Sequence, residues 1–165
     1  MLAIHRISAS YNHKPIIEEI SLNLAEGNVL ALIGPNGSGK TTFIRAVSGV
    51  LPLRSGCVKV NGTDIKHMSA QQRARMIAVV PQSRSFPPAF TTQEVVALGR
   101  TPYLNWLGKI TEKDQAVIDR ALEKMDLLEL RHRSVGELSG GEQQRLYLAR
   151  SLAKESAFLL MDEPA

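Results

Sequence analysis

The alternation of apolar and polar residues predicts the first elements of the chain. Residues Ile20 to Leu24 alternate strictly, with the period of a strand that has one buried face. The stretch from Leu2 to Tyr11 can supply an antiparallel partner. The run from Val29 to Ile33 is apolar without a break, which is typical of a strand buried on both faces of a parallel sheet. We therefore expect an N-terminal antiparallel sheet followed by the first strand of a parallel one.

Helical spacing and short apolar strands then alternate as far as residue 80, which is the order of an α/β domain. Ser69 and Gln72 have the spacing of a capping box, and Asn61-Gly62 predicts a tight hairpin turn. The predicted elements are a helix from Thr41 to Val47 that stops at Gly49, a strand from Cys57 to Val60, a short helix after Ser69 and a strand from Ile77 to Val80.

The pattern changes after a Pro-rich and Ser/Thr-rich loop between Gln82 and Thr91. Thr91 with Glu94 and Thr111 with Asp114 are capping pairs for two successive helices, and a third helix begins near Gly140-Gly141. A final apolar run, Phe158 to Met161, predicts another buried strand. We expect residues 91–145 to form a helical subdomain inserted into a core made of residues 1–90 and 146–165.

Composition narrows the classes of function. The 165 residues carry a formal net charge of +4, but the basic residues are dispersed and only 5% of residues are aromatic, which disfavours a nucleic-acid partner. Cys57 is the single cysteine and the four histidines are scattered, so neither a disulfide nor a zinc or iron–sulfur site is expected. No leader pattern or long apolar run is present, which predicts a cytoplasmic chain.

A phosphate-binding motif follows the predicted strand at Val29 to Ile33 and precedes a predicted helix, the context that this motif requires. Its glycines let backbone N–H groups wrap closely around an anion, and the helix dipole adds to the attraction. Lys40 is placed to reach the outer phosphates, and the Thr41 hydroxyl is a hard oxygen suited to Mg²⁺. The candidate nucleotide-binding residues are Gly34, Asn36, Gly37, Ser38, Gly39, Lys40, Thr41 and Thr42.

Two carboxylates stand at the end of the last predicted strand. Asp162 follows the apolar run directly, at the edge where open α/β sheets hold their ligands, and it can hold Mg²⁺ through water. Glu163 comes next and could deprotonate a water for in-line attack on the terminal phosphate. We therefore assign Asp162 to the metal and Glu163 to catalysis.

The hexapeptide Leu138-Ser-Gly-Gly-Glu-Gln143 opens the helix after residue 139 and forms a second anion site. With the phosphate loop and the Asp162 strand in the same order, it resembles the signature of the ATP-binding-cassette (ABC) ATPases over residues 2 to 165. The resemblance implies a P-loop NTPase with a RecA-like core, an N-terminal antiparallel β subdomain and an inserted α-helical subdomain. It also implies ATP and Mg²⁺ as ligands.

Further site residues come from this resemblance alone. Tyr11 would stack on adenine, and Gln82 would contact both Mg²⁺ and the attacking water and so act in catalysis beside Lys40 and Glu163. The signature residues Ser139, Gly140, Gly141 and Glu142 would contact the terminal phosphate held by a second ATPase subunit. Two subunits would then close head to tail over two nucleotides.

The segment from Val96 to Tyr103 resembles ATPase subunits of importers for siderophore iron, haem or cobalamin. That likeness implies a membrane permease docked on the helical subdomain, a solute-binding protein acting through the permease, and a location on the inner face of the cell membrane. Iron–sulfur assembly scaffolds and translation factors of the same family remain alternatives. Coiled-coil members are excluded because Gln82 and Leu138 lie too close together, and a small-molecule kinase has no use for the signature.

The resemblance also implies sequence beyond Ala165, including a dimer-contact loop, further strands and a histidine that senses the terminal phosphate. The next strand would lie between the Asp162 strand and the phosphate-loop strand. We therefore expect residues 1–165 to be a C-terminally truncated domain that, alone, is unstable and does not turn over ATP.

Overall fold

The computed structural model describes residues 1–11, 14–80 and 86–162. None of the helices in these ranges has the length and apolar character needed to cross a membrane. The strands are β1 (Leu2–Tyr11), β2 (Lys14–Leu24), β3 (Ser55–Val60), β4 (Thr63–Asp64), β5 (Ile77–Val80) and β6 (Phe158–Met161). The α-helices are α1 (Lys40–Val47), α2 (Ala70–Met76), α3 (Thr92–Ala97), α4 (Glu112–Lys124) and α5 (Gly140–Leu152). The α/β fold class expected from the sequence is confirmed.

A four-stranded antiparallel sheet with the order β2-β1-β3-β4 forms the N-terminal layer. In its central strand β1, the side chains of Leu2, Ile4 and Ile7 are at most 2% exposed. They pack with Val58 of β3 and with the buried face of α1 in one hydrophobic cluster. The predicted pairing of the first two strands and the predicted turn between β3 and β4 are both present.

The strands β5 and β6 pair in parallel, with Ile77 opposite Phe158 and Val80 opposite Met161. The backbone N–H of Asp162 donates to the Val80 carbonyl over 2.9 Å and extends the ladder by one residue. This hydrogen bond fixes Asp162 at the carboxyl end of the pair, which is the edge where parallel sheets hold their ligands.

Two expectations about buried strands are corrected by the structure. The segment from Val29 to Ile33 belongs to no ladder among the described residues, and both of its end residues are 96% exposed. In β6, Leu159 and Met161 are 37% and 46% exposed, so this strand is only half buried. The two segments line a cleft of about 590 Å³. An apolar run becomes a buried strand only with a hydrogen-bonded neighbour, and no described residues fill the cleft.

A second hydrophobic cluster lies among the helices. It joins α3, α4 and α5 through side chains that are almost fully buried, among them Val95, Ile118, Leu122 and Leu146. Helix α5 contributes Leu146 and Ala149 with Leu152 packed against them, and Ala153 just after the helix is also part of the cluster. The apolar stripe predicted for α4 from its periodicity therefore faces α3 and α5.

Arg100 lies between these helices and the end of α5. Its side chain is 3% exposed, and it donates to the Asp114 carboxylate, the Ala153 carbonyl and the Glu155 carboxylate, each over 2.9 Å. Asp114 accepts also from Thr111, whose hydrogen bond is the main reason that the pKa of Asp114 lies below its usual range. A buried guanidinium is tolerated only with such partners, so this network fixes how the helices pack.

Tyr103 connects the same network to helix α2. Two guanidinium groups lie over its ring, that of Arg100 at 3.9 Å from the ring centroid and that of Arg75 in α2 at 4.8 Å. The carbonyl of Pro102 accepts hydrogen bonds from Gln71 and Arg75 of the same helix. Helix α2 is thus held against the helical part by polar and cation–π contacts.

The Arg100 network predicts that substitutions at two aspartates of α4 lower the free energy of unfolding by very different amounts. Asp114→Asn removes the buried charge beside Arg100 and should lower the free energy of unfolding by about 2–3 kcal/mol. Asp119→Asn removes a half-exposed partner of Arg131 and should cost less than about 1 kcal/mol. Urea unfolding of both variants and the wild-type protein checks this. Equal losses for the two variants would contradict the proposed importance of the Arg100 network.

Candidate nucleotide-binding site

The loop from Gly34 to Gly39 adopts backbone conformations that only glycine takes readily. Gly37 and Gly39 have φ angles of +82° and +97°. A Cβ at Gly39 would also lie 3.3 Å from methyl groups of Ile16 and Ile17, whereas one at Gly37 would meet no atom within 4 Å. Strand β2 therefore packs directly against the last turn of the loop.

The amino end of α1 differs from that of every other described α-helix. Its N-cap is Gly39, and no side chain caps it. The other four helices begin with a complete capping box, formed by Ser69 with Gln72, Thr91 with Glu94, Thr111 with Asp114 and Ser139 with Glu142. No side chain of the described residues occupies this helix end, and the helix dipole favours an anion there.

A pocket of about 350 Å³ opens at this helix end. It is lined by Ile16, Asn36, Gly37, Gly39, Lys40, Thr41 and Thr42, most of which the sequence motif identified. Ile16 was not identified from the sequence. An apolar residue in a strand such as β2 indicates only that one face is buried, not that the residue lines a pocket. The pocket has the size and the N–H donors to accept a phosphate chain.

Lys40, the first residue of α1, reaches back over the loop. Its ammonium group donates to the Gly34 carbonyl over 2.9 Å and to the Pro35 carbonyl over 3.2 Å. The loop carbonyls therefore hold a positive charge at the mouth of the pocket. Such a charge can contact the outer phosphates of a nucleotide, as the sequence motif predicts.

Thr41 and Asp162 meet, although they are 121 positions apart in the sequence. The Thr41 hydroxyl donates to the Asp162 carboxylate over 2.9 Å, and Asp162 is only 7% exposed. A hydroxyl and a carboxylate are hard oxygen ligands, the donor type that Mg²⁺ prefers. The two described residues assigned to the metal from the sequence thus form one donor pair beside the phosphate pocket.

Tyr11 lies at the end of β1 and is 39% exposed. Its hydroxyl accepts a hydrogen bond of 3.1 Å from Arg45 of α1. Arg45 was not identified from the sequence, since a basic residue on an exposed helix face carries no signal of its own. The contact places the aromatic candidate for adenine binding next to the helix that carries Lys40.

The signature hexapeptide forms the amino end of α5. Ser139 donates to the Glu142 carboxylate over 2.7 Å through both its hydroxyl and its backbone N–H, and these bonds lower the pKa of Glu142. Gly140 and Gly141 are exposed, with open space where a Cβ would lie. None of these four residues lines the phosphate pocket, so within one chain the structure does not bring the signature to the loop. Gln82 and Glu163 lie outside the described residues.

The ABC transporter family model matches residues 17–165, which is most of the chain. The chain belongs to the ABC transporter family. Its order of elements, its phosphate loop and its signature hexapeptide are therefore those of an ABC ATPase domain, as the resemblance implied.

Three relatives with assigned roles are similar to most of this chain. The chain is 34% identical over 163 residues to the iron(3+)-hydroxamate import ATP-binding protein of Bacillus subtilis. It is 37% identical over 158 residues to the achromobactin transport ATP-binding protein of Dickeya dadantii, and 40% identical over 149 residues to the cobalamin import ATP-binding protein of Halobacterium salinarum. These matches cover 99%, 96% and 90% of the chain, but 61%, 59% and 37% of the relatives.

Solved structures share the fold. A nucleotide-free ATP-binding cassette from an ABC transporter superposes with a TM-score of 0.86 at 26% identity, over 100% of this chain and 69% of that one. A transporter of the metal-chelate type gives a TM-score of 0.82 at 29% identity, over 99% of this chain and 59% of that one. The ABC ATPase fold therefore extends over all of the described elements.

The loop geometry predicts different costs for three glycine substitutions. Gly37→Ala forces a left-handed conformation and should cost about 1–2 kcal/mol of unfolding free energy. Gly39→Ala adds the close contacts with Ile16 and Ile17 and should cost more. Gly140→Ala, at an open helix start, should change stability by less than about 0.5 kcal/mol. Urea unfolding of the three variants measures this order, and a Gly39→Ala protein as stable as Gly140→Ala would refute it.

Proposed function

We propose that this chain is the nucleotide-binding part of an ATPase subunit that drives the import of a metal chelate, such as a ferric siderophore, haem or cobalamin. The uncapped amino end of α1, with Lys40 beside it, is the observation that carries the ATP site. The importer class is supported by the relatives, whose names include iron(3+)-hydroxamate, achromobactin and cobalamin transport.

The residues present suit a magnesium nucleotide. The N–H groups at the start of α1 and Lys40 would bind the phosphates, and Thr41 with Asp162 would hold Mg²⁺, which would neutralise part of the phosphate charge. Tyr11 would stack on adenine through an exposed ring. The site thus offers N–H groups and a cation for the phosphates, oxygen ligands for Mg²⁺ and an aromatic ring for the base.

We assign hydrolysis to Glu163 and Gln82, both outside the described residues. Glu163 follows Asp162 in the sequence, and as a general base it would remove a proton from the water that attacks the terminal phosphate. Gln82, two positions after β5, would orient that water and contact Mg²⁺. These two roles rest on the resemblance and on position in the chain.

The signature residues support a dimer. Because Ser139, Gly140, Gly141 and Glu142 do not line the pocket of their own chain, their exposed helix end is available to the terminal phosphate bound by a second subunit. We propose that two subunits close head to tail over two ATP molecules. A membrane permease would dock on the helical part and place the protein at the inner face of the membrane, with a solute-binding protein acting through the permease.

The role of Lys40 can be tested in the full-length protein. Lys40→Ala removes a charge-assisted phosphate contact and should weaken Mg-ATP binding more than about a hundredfold, as measured by calorimetry. Lys109→Ala, which removes an exposed lysine between α3 and α4, is the matched control and should bind as wild type does. Undiminished binding by Lys40→Ala would exclude the proposed nucleotide site.

The same variant tests the transport role. Cells in which Lys40→Ala replaces the wild-type protein should lose uptake of one class among ferric siderophores, haem and cobalamin. Cells with Lys66→Ala, which removes an exposed lysine outside both the phosphate pocket and the helical part, should retain it. Uptake of all three classes at wild-type rates in the Lys40→Ala cells, with ATP binding abolished in the purified variant, would contradict the importer role while leaving the ATP site intact.

A further inference from the structure

The hydrogen bond between Arg45 and Tyr11 links two parts of the proposed nucleotide site. Tyr11 is the last residue of β1, and Arg45 belongs to α1, which begins at Lys40. An Arg45 N–H donates to the Tyr11 hydroxyl over 3.1 Å. Both side chains are exposed, and an exposed bond of this kind adds little to folding stability. What this hydrogen bond does is restrain the position of the Tyr11 ring.

The bond holds the Tyr11 side chain at its hydroxyl, on the edge of the ring. Among the described residues no cation and no aromatic ring packs on either face of Tyr11. Tyr103 provides the contrast, because guanidinium groups from Arg75 and Arg100 lie over its ring. A tyrosine held at its hydroxyl, with no aromatic ring or cation of the described residues on its own ring, is suited to stacking on a flat ligand.

Arg45 also sits on the element that carries the phosphate-binding groups. It lies five residues beyond Lys40, about 7.5 Å along the axis of the same helix. The guanidinium is charged under all ordinary conditions, and the pKa of Arg45 is raised first by the hydrogen bond with Tyr11 and in smaller part by the Asp162 carboxylate. The aromatic ring and the phosphate pocket are therefore tied to one rigid helix.

We propose that Arg45 is a positioning residue for adenine: by holding the Tyr11 hydroxyl, it fixes the aromatic ring at a set place relative to the phosphate pocket. This inference rests on the proposed ATP site and on the assignment of Tyr11 to adenine. Ordering a free side chain at the moment of binding weakens affinity, and a ring that is already held avoids most of that loss. Removing Arg45 should therefore weaken ATP binding by about three- to tenfold.

The test is a double-mutant cycle in the full-length protein. Arg45→Ala, Tyr11→Phe and the double variant are compared with wild type for binding of Mg-ATP and of inorganic tripolyphosphate, which has no base. Tyr11→Phe keeps the ring and removes only the hydroxyl. Arg45→Lys, which can still donate to that hydroxyl, is the conservative variant. Arg54→Ala removes an exposed arginine that does not line the phosphate pocket and serves as control.

We expect Arg45→Ala and Tyr11→Phe each to weaken Mg-ATP binding, the double variant to bind no more weakly than either, and Arg45→Lys to recover part of the loss. Tripolyphosphate should bind equally to all five variants and to the wild-type protein. Effects that multiply in the double variant, unchanged ATP affinity in Arg45→Ala, or an equal loss of tripolyphosphate binding would each overturn the inference. Failure of the wild-type protein to bind ATP would instead refute the proposed ATP site.

Discussion

A magnesium nucleotide needs a phosphate cradle and metal ligands in one place, and this chain must bring them from segments 121 positions apart. The hydrogen bond from the Thr41 hydroxyl to the Asp162 carboxylate meets that constraint. Its length of 2.9 Å depends on the ladder bond that fixes Asp162 beside Val80 and on the packing of α1 against the antiparallel sheet. The two sheets and α1 are thus arranged around a single point of contact.

The helical part depends on a different kind of interaction. Apolar packing alone is not directional, whereas the hydrogen bonds of Arg100 are. Arg100 donates to Asp114, to the Ala153 carbonyl and to Glu155. Tyr103 links this network to α2 through the cation–π contact with Arg75 of that helix. Because a buried charge is costly without all of its partners, the network fixes the position of α5 and its signature residues relative to the core.

The sequence predicted the elements whose determinants are local. Capping pairs located the starts of α2, α3 and α4, and Gly140-Gly141 marked the start of α5. The phosphate loop was identified because its glycines and Lys40 are contiguous. The prediction failed at Val29 to Ile33, where an apolar run lacks the neighbour that would make it a strand. Arg45, Ile16 and Arg100 could not be found from the sequence, since their roles arise only when distant segments are brought together.

The central claim is that Thr41 and Asp162 form a metal site that serves the phosphate pocket. The most direct measurement is the gain in ATP affinity caused by Mg²⁺, determined by calorimetry with Mg²⁺ and with a chelator, in wild type and in Asp162→Asn. The wild-type protein should bind ATP more tightly with Mg²⁺, and the variant should lose about ten- to a hundredfold of that gain while its binding of metal-free ATP changes little. The same Mg²⁺-dependent gain in both proteins would contradict the account.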